Sequence, residues 1–294
     1  PISIQEGCDK FCKFCVVPYT RGAEFSRSIK EIVNEAHQLI DNGAQEITLL
    51  GQNVNAYNYE NNRLSDLIKE ITKIKDLKRI RYTTSHPIDF SEDLIEVHKY
   101  CEKLMPLVHL PVQSGSDKIL KMMNRKHTIK DYLTIVEKLI EVKPNIKFSS
   151  DFIIGYPGET KEDHEKTIKL LKDIKFINTF SFIYSARPGT PASKLAKIPD
   201  KKAKERLIHF QSIAEQIKLN YRKQLMNKTA KVLIENEMKI KNNFFGRDEY
   251  FNPIVVKDIK DLSGKIKNVK IIKGNQNSLY GEVVNKFNQK NYAA

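Results

Sequence analysis

The chain has 294 residues and a formal net charge of +14, from 50 Lys and Arg against 36 Asp and Glu, enough for one large domain plus a small one or for a single large barrel. The positive excess is spread along the sequence and favours a polyanionic partner, nucleic acid ahead of anionic membrane; a merely solvated, Lys-rich surface is the other reading. No run reaches the roughly 18 apolar residues of a membrane span and no charged segment leads into an apolar one, which argues against a membrane protein and predicts a cytoplasmic one.

Ile2–Ile4 reads as a first strand, and a cysteine-bearing string follows it directly. Ser28 and Glu31 then form a capping box. Ile29, Ile32, Val33, Ala36, Leu39 and Ile40 mark one face of the helix it opens, and Gly43 closes that helix. Further strands are read at Glu46–Leu50, Arg79–Thr83, Leu107–Leu110, Lys147–Ile154 and Thr179–Tyr184. Ile129, Tyr132, Leu133, Val136, Leu139 and Ile140 repeat the helical spacing before the fifth of the six strands. This alternation predicts an α/β fold, a partial TIM-like barrel of six β/α units with a parallel sheet.

A long Lys-rich helix from Asp200 to about Leu225 closes the first domain, 1–225, with Leu207, Phe210, Ile213, Ala214, Ile217 and Tyr221 on its buried side. Short alternating strands follow at Lys231–Glu235, Pro253–Lys257 and Val269–Lys273, separated by Gly and Asn turns. They predict a small all-β, OB-like barrel over 226–290. From 226 to the end the chain carries 13 Lys and Arg against 7 Asp and Glu, a net +6. Lys and Arg around Phe244, Phe245, Tyr250 and Phe251 suit RNA backbone pairing with base stacking, although at least two of these four rings are expected in the barrel core.

Of four cysteines, Cys8, Cys12 and Cys15 fall within eight residues and Cys101 stands alone. Such clustering suits a cofactor site in a reducing compartment and not a disulfide framework. Cys101, in a helical stretch, reads as a small buried hydrophobe. The array C-x3-C-x2-C can hold three irons of a cubane and leave the fourth open. A structural zinc site is the alternative, but it wants a fourth ligand at short spacing, and none is present.

EGCDKFCKFC, with Phe14 before the last Cys, resembles the signature of the radical S-adenosylmethionine (SAM) superfamily. Val16–Gly22, Leu49–Tyr57, Thr83–Pro87, His109–Arg125, Asp151–Thr160 and Tyr184–Ala192 together extend the likeness to the methylthiotransferases. Among these, the bacterial enzymes acting on tRNA N6-isopentenyladenosine beside the anticodon are the most similar. The resemblance implies a 4Fe-4S cluster on Cys8, Cys12 and Cys15, with SAM on the open iron. It places Phe14, Gln52, Asn53, Gln113, Ser114, Arg125 and Asp151 around SAM, and it implies that Phe244–Val256 and Asn277–Val283 belong to a TRAM domain.

These residues also have readings of their own. Amide side chains at Gln52 and Asn53 accept and donate without adding charge, yet any loop after a strand is rich in Gly and Asn. Gln113, Ser114 and Arg125 follow the fourth strand, where the resemblance has them reach the ribose hydroxyls and the carboxylate of SAM; a surface ion pair is the other reading of Arg125. Asp151 lies among apolar neighbours and needs a hydrogen-bond partner, either a cofactor hydroxyl or a backbone N–H. Gly155–Glu159 forms a tight turn into a helix whose start can host an anion. Arg187, after the last strand, and Arg247, in the small barrel, are candidates to face RNA phosphate.

The implied reaction takes hydrogen from adenine C2 with a deoxyadenosyl radical and joins that carbon to a methylated sulfur, a second SAM supplying the methyl group. The sulfur would come from a second 4Fe-4S cluster on three cysteines of an N-terminal domain, for which these residues hold no thiols. With Pro1 in first place, the sequence therefore reads as a truncated form. Expected partners are the tRNA anticodon loop and a reductase such as flavodoxin or ferredoxin, with no membrane and no DNA. The rivals are a methylthiotransferase acting on a ribosomal-protein aspartate and a non-catalytic RNA-binding iron–sulfur protein.

Overall fold

A computed structural model describes residues 1–284; positions 285–290 of the expected small barrel lie outside the described residues. Among the described residues no helix is long and apolar enough to cross a membrane. The first six principal strands are β1 (Ile2–Ser3), β2 (Glu46–Leu50), β3 (Arg79–Tyr82), β4 (Leu107–His109), β5 (Lys147–Ile154) and β6 (Asn178–Ile183). Each lies within one residue of its expected place. They run parallel in sequence order as two three-stranded halves, β1-β2-β3 and β4-β5-β6. Among the described residues a bridge from Ile80 to Leu104 links the halves. There Ile80 N donates to Lys103 O at 2.7 Å and Met105 N to Ile80 O at 3.0 Å.

The helices are α1 (Val17–Arg21), α2 (Ile29–Asp41), α3 (Leu64–Thr72), α4 (Glu92–Tyr100), α5 (Asp117–Met122), α6 (Ile129–Val142), α7 (Lys161–Ile174) and α8 (Asp200–Lys223). Ser28 and Glu31 make the expected capping box on α2, and Thr128 with Asp131 and Thr160 with Asp163 do the same for α6 and α7. Gly43 takes φ +94° just past α2, a conformation that a Cβ would oppose. One face prediction fails at its edge: Ile140 of α6 is exposed, because the stripe of a 3.6-residue repeat drifts off the core by its last turn.

Period-two alternation sorts each strand between its two faces. In β5, Phe148, Ser150, Phe152 and Ile154 are buried, with Phe152 packed on Phe176 and Phe210 of α8 at ring distances of 5.6 and 4.7 Å. Ser149, Asp151 and Ile153 therefore look the other way, into the concave lumen. Inside the lumen Glu46 pairs with Arg81 at 2.9 Å and Arg79 at 3.6 Å, both arginines being buried. Cys101 is buried, its sulfur 3.2 Å from Thr72 Oγ1, in keeping with a core residue.

The chain divides into two compact units at Ile217, inside α8 and upstream of the boundary at 225 read from the sequence. The second unit holds β7 (Thr229–Glu237), β8 (Asn243–Arg247), β9 (Pro253–Lys257), β10 (Ile266–Gly274) and β11 (Leu279–Val283). They close a barrel in the order β7-β8-β9-β11-β10, with β9 and β11 its parallel pair. Val232, Ile234, Phe244, Ile254, Val256, Val269, Ile271 and Leu279 fill it. Gly246 is required by close approach, since a Cβ there would lie 2.3 Å from Leu233 O. Of the four aromatics, at least two of which are expected in the core, only Phe244 is buried, whereas Phe245 and Tyr250 are partly open and Phe251 is exposed. Alternation along β8 turns Phe244 inward and Phe245 outward.

Candidate active site at the carboxyl ends of the strands

Cys8, Cys12 and Cys15 sit on the loop leaving β1, Cys12 buried and the other two half-buried. Gly7 enters the loop at φ +72°, where a Cβ would meet Ala23 O at 2.0 Å. Its N–H donates to Gln52 Oε1 at 2.8 Å and its carbonyl accepts from Gln5 Nε2 at 2.8 Å. Farther along, Lys13 N donates to Met123 O at 3.0 Å, Asn124 Nδ2 to Phe11 O at 2.9 Å, and Ala192 N to Lys13 O at 2.9 Å. Segments around residues 52, 124 and 192 thus fix a loop that has little regular structure of its own. Burial pushes the Cys8 thiol up to about 11, and Glu24 and the other two thiols add to the rise. Burial also raises Cys15, against the opposing charge of Arg125.

Arg125 is buried and no surface ion pair: Nη1 donates to Cys12 Sγ at 3.6 Å and Nη2 to Pro111 O at 2.6 Å, while Nε has no partner among the described residues. His86 and His127 stack edge to face nearby at 5.9 Å. Burial and then the guanidinium lower His127 to about 4 and His86 further, so both rings are neutral at pH 7. Asn53, just past β2, is buried, and its Nδ2 donates to Asp89 Oδ2 at 2.7 Å and Glu24 Oε1 at 3.2 Å. Asp89 also accepts from Lys10 Nζ at 2.8 Å. Two carboxylates fix the amide's orientation and leave its Oδ1 a buried acceptor without a partner among the described residues.

Other expected residues take different places. Gln52 spends its carbonyl oxygen on Gly7. Gln113, at φ +75°, links by backbone to Asp151 O and Ile153 N at 2.9 and 3.0 Å. Ser114 is buried toward α7, its Oγ 3.4 Å from Thr167 Oγ1 and accepting from Ser116 N at 3.2 Å. That hydroxyl is occupied in bracing the loop behind the sheet. Phe14 packs with Ile119, Met123, Tyr156, Tyr184 and Ala192 and walls the site. Asp151 faces the lumen with its side chain one-third exposed, and its neighbour is the His109 ring, Nε2 to Oδ1 3.4 Å, not a backbone cap. Arg187 is exposed beyond β6.

The Gly155–Glu159 turn is closed by its own side chain: buried Glu159 accepts from Gly155 N at 3.2 Å and pairs with buried Arg206 at 2.7 Å. Thr160 and Asp163 form a capping box on the helix that follows, Asp163 N donating to Thr160 Oγ1 at 3.2 Å and Thr160 N to Asp163 Oδ2 at 2.9 Å. In the small barrel, taken by itself, the Arg247 guanidinium lies over Phe245 and Phe251 at 4.8 and 4.6 Å and pairs with Glu235 at 2.5 Å. Sequence reasoning missed Lys10, Glu24, Asp89, His86 and His127. Lys10 and His86 do lie in the strings quoted above, but their partners are distant along the chain.

A profile of the radical SAM superfamily matches residues 2–171, more than half the chain. The chain belongs to the radical SAM superfamily. A TRAM domain profile matches residues 223–284, over the five-stranded barrel of this radical SAM protein. Two curated relatives are each named tRNA-2-methylthio-N(6)-dimethylallyladenosine synthase. That of Pelagibacter ubique (strain HTCC1062) is 53% identical over 98% of the chain, and that of Wolbachia sp. subsp. Brugia malayi (strain TRS) 51% over 95%. The chain spans 66% and 65% of their lengths, less than two thirds. Among solved structures, the radical SAM methyltransferase TsrM from Kitasatospora setae, with cobalamin and a [4Fe-4S] cluster bound, is similar in fold. Its TM-score is 0.55 at 18% identity, covering 65% of this chain and 38% of that one.

The cofactors of this superfamily are a 4Fe-4S cluster and SAM, and the residues at the loop fit both. Among the described residues no three His, Cys, Asp or Glu side chains gather around one ion, and a cubane does not ask for that, because each thiolate binds a different iron. The unpartnered Nε of Arg125 is a buried donor suited to a carboxylate, and the unpartnered Oδ1 of Asn53 is a buried acceptor suited to an ammonium. An amino-acid headgroup supplies both.

Proposed function

We propose that this chain carries the radical SAM and RNA-binding parts of a tRNA methylthiotransferase acting on N6-dimethylallyladenosine beside the anticodon. The observation that carries the reading is the thiol loop braced against Arg125 at the open end of a six-stranded half-barrel, on a chain half identical to relatives of that name. In this reading Cys8, Cys12 and Cys15 hold the cluster. When bound, cluster and SAM supply reductive cleavage of the sulfonium to a 5′-deoxyadenosyl radical.

The protein's part is to bind, orient and exclude. Arg125 takes the SAM carboxylate and Asn53 Oδ1 its ammonium, while Gln52 and Gln113 hold the loops around them and Phe14 with Tyr156 keeps water from the thiols. Asp151 retains lone pairs toward the lumen for a ligand hydroxyl. Ser114 is a bracing residue. Arg187 at the mouth and Arg247 with Phe245 and Phe251 on the barrel meet tRNA phosphate and base. The sulfur source is assigned to a second cluster outside these 294 residues, since the loop uses three of the four thiols and Cys101 is buried. A flavodoxin or ferredoxin type of donor supplies the electron.

Anaerobic reconstitution, followed by dithionite and SAM, tests the first half by 5′-deoxyadenosine release. The expected result is release that disappears in Cys12→Ala; none from a chain loaded with 4Fe-4S would overturn it. Offering tRNA and a ribosomal-protein substrate in parallel to the whole protein tests the second half, and methylthiolation of the protein alone would overturn that.

A further inference from the structure

Strand β6 places two large rings where a folded protein seldom leaves them. Phe180 and Phe182 are 47% and 61% exposed. Both are on the lumen side. Phe180 pairs in register with Asp151 and Phe182 with Ile153, and Phe180 meets the His109 ring edge to face at 5.9 Å. Ser181, between them, points the opposite way and accepts from Gln211 Nε2 of α8 at 3.3 Å.

The same row continues upward to Tyr184, which packs on Tyr156 at 5.2 Å beside Phe14 of the cysteine loop. At about 3.3 Å per residue, Phe182 lies roughly 7 Å and Phe180 roughly 13 Å below Tyr184 along the strand. An apolar shelf therefore runs from the thiol loop down one wall of the lumen, flanked on its polar side by Asp151 and His109. Exposed apolar surface of this kind, inside a concavity and next to reactive groups, marks a ligand site more than a folding remnant.

We infer that Phe180 and Phe182 are the specificity-determining residues for the substrate base and that they receive its N6-dimethylallyl group. This rests on the function proposed above. The five-carbon branched substituent is the one large apolar element that such a base adds to ordinary RNA. An adenine presenting C2 toward the loop carries that substituent on a different ring carbon, free to lie along the wall below. Ile153, in register with Phe182, extends the apolar surface, while Asp151 and His109 keep the rest of the wall polar. Plain adenine leaves the two rings wet and gains nothing from them.

The test is fluorescence anisotropy with this 294-residue chain and three RNA hairpins: an anticodon stem-loop with N6-dimethylallyladenine next to the anticodon, the same hairpin with adenine, and an unrelated hairpin. The chain is expected to prefer the modified anticodon hairpin over the plain one by at least about tenfold, the effect of burying roughly two methylenes. Phe180→Ala and Phe182→Ala are expected to abolish that preference and leave affinity for the plain hairpin unchanged, while Phe182→Leu keeps most of it. Equal binding of the two anticodon hairpins overturns the inference, as does a preference that survives both alanine variants. So does a folded leucine variant, checked by circular dichroism, that loses the preference completely. No discrimination between anticodon hairpins and the unrelated hairpin sinks the tRNA reading itself.

Discussion

Arg125 and Cys12 are separated by 113 residues of sequence and by 3.6 Å in space. The guanidinium is buried, tethered by Pro111 O at 2.6 Å, and brings a positive charge from far along the chain to Cys12 and Cys15. Lysine at this position keeps the charge but loses the planar fork. Arg125→Lys is expected to lower 5′-deoxyadenosine formation at least about tenfold, for the ~1.5–3 kcal/mol of a charge-assisted bond, while iron content stays at the wild-type level. Unchanged kinetics would remove Arg125 from the cofactor site.

Arg206 and Glu159 form a pair that is almost fully buried. Removing the cation strands a carboxylate whose remaining partner is Gly155 N at 3.2 Å, at a cost of about 3–5 kcal/mol. Arg206→Met should therefore unfold in markedly less urea, and the loss should shrink at low pH, where the carboxyl, already raised by burial, protonates. A midpoint unchanged at pH 7 would contradict this.

His98 is buried in the core, its Nε2 2.8 Å from Tyr82 Oη, and burial lowers it to about 3. The unfolded chain takes up the proton near pH 6.5, before the folded one, so stability is fully present above pH 6.5 and falls as pH drops toward 3. The slope from this group is about 1.4 kcal/mol per pH unit. His98→Gln keeps a partner for Tyr82 without a titrating ring. Its denaturation midpoint should vary less between pH 6.5 and 5 than the wild type's; parallel curves would place the effect elsewhere.

Arg247, whose guanidinium lies over the rings of Phe245 and Phe251, is paired with Glu235. Arg247→Ala should weaken RNA binding and reduce the slope of log affinity against log salt by about one. Phe251→Ala should lose ~1–3 kcal/mol of stacking with the salt slope intact. An anisotropy titration across salt concentrations separates the two, and an unaltered slope in the arginine variant would place the phosphate contact on another residue.

Most of the framework was legible because it is written in local periodicity. Glu46–Leu50 and Lys147–Ile154 show alternation or apolar runs of strand length, and Ser28 with Glu31 spells out a helix start. The cysteine loop was legible for the same reason, its spacing being local. What could not be read is what the fold brings together from afar. Lys10 meets Asp89 across 79 residues, and nothing near Ser114 says that its hydroxyl turns to Thr167. The misjudged barrel aromatics have a simpler cause: Phe244 and Phe245 are adjacent, so a strand must send one of them outward.

The cysteines leave the ribosome early, but the braces of their loop leave late. Gln52, Met123, Asn124 and finally Ala192 must all be made and folded before Gly7, Phe11 and Lys13 have their hydrogen-bond partners. Iron delivered to a nascent chain would meet three flexible thiols on an unshaped segment. The loop therefore takes its final shape only after synthesis of the half-barrel, and three thiols that lie close in sequence depend on the last part of the domain to be made.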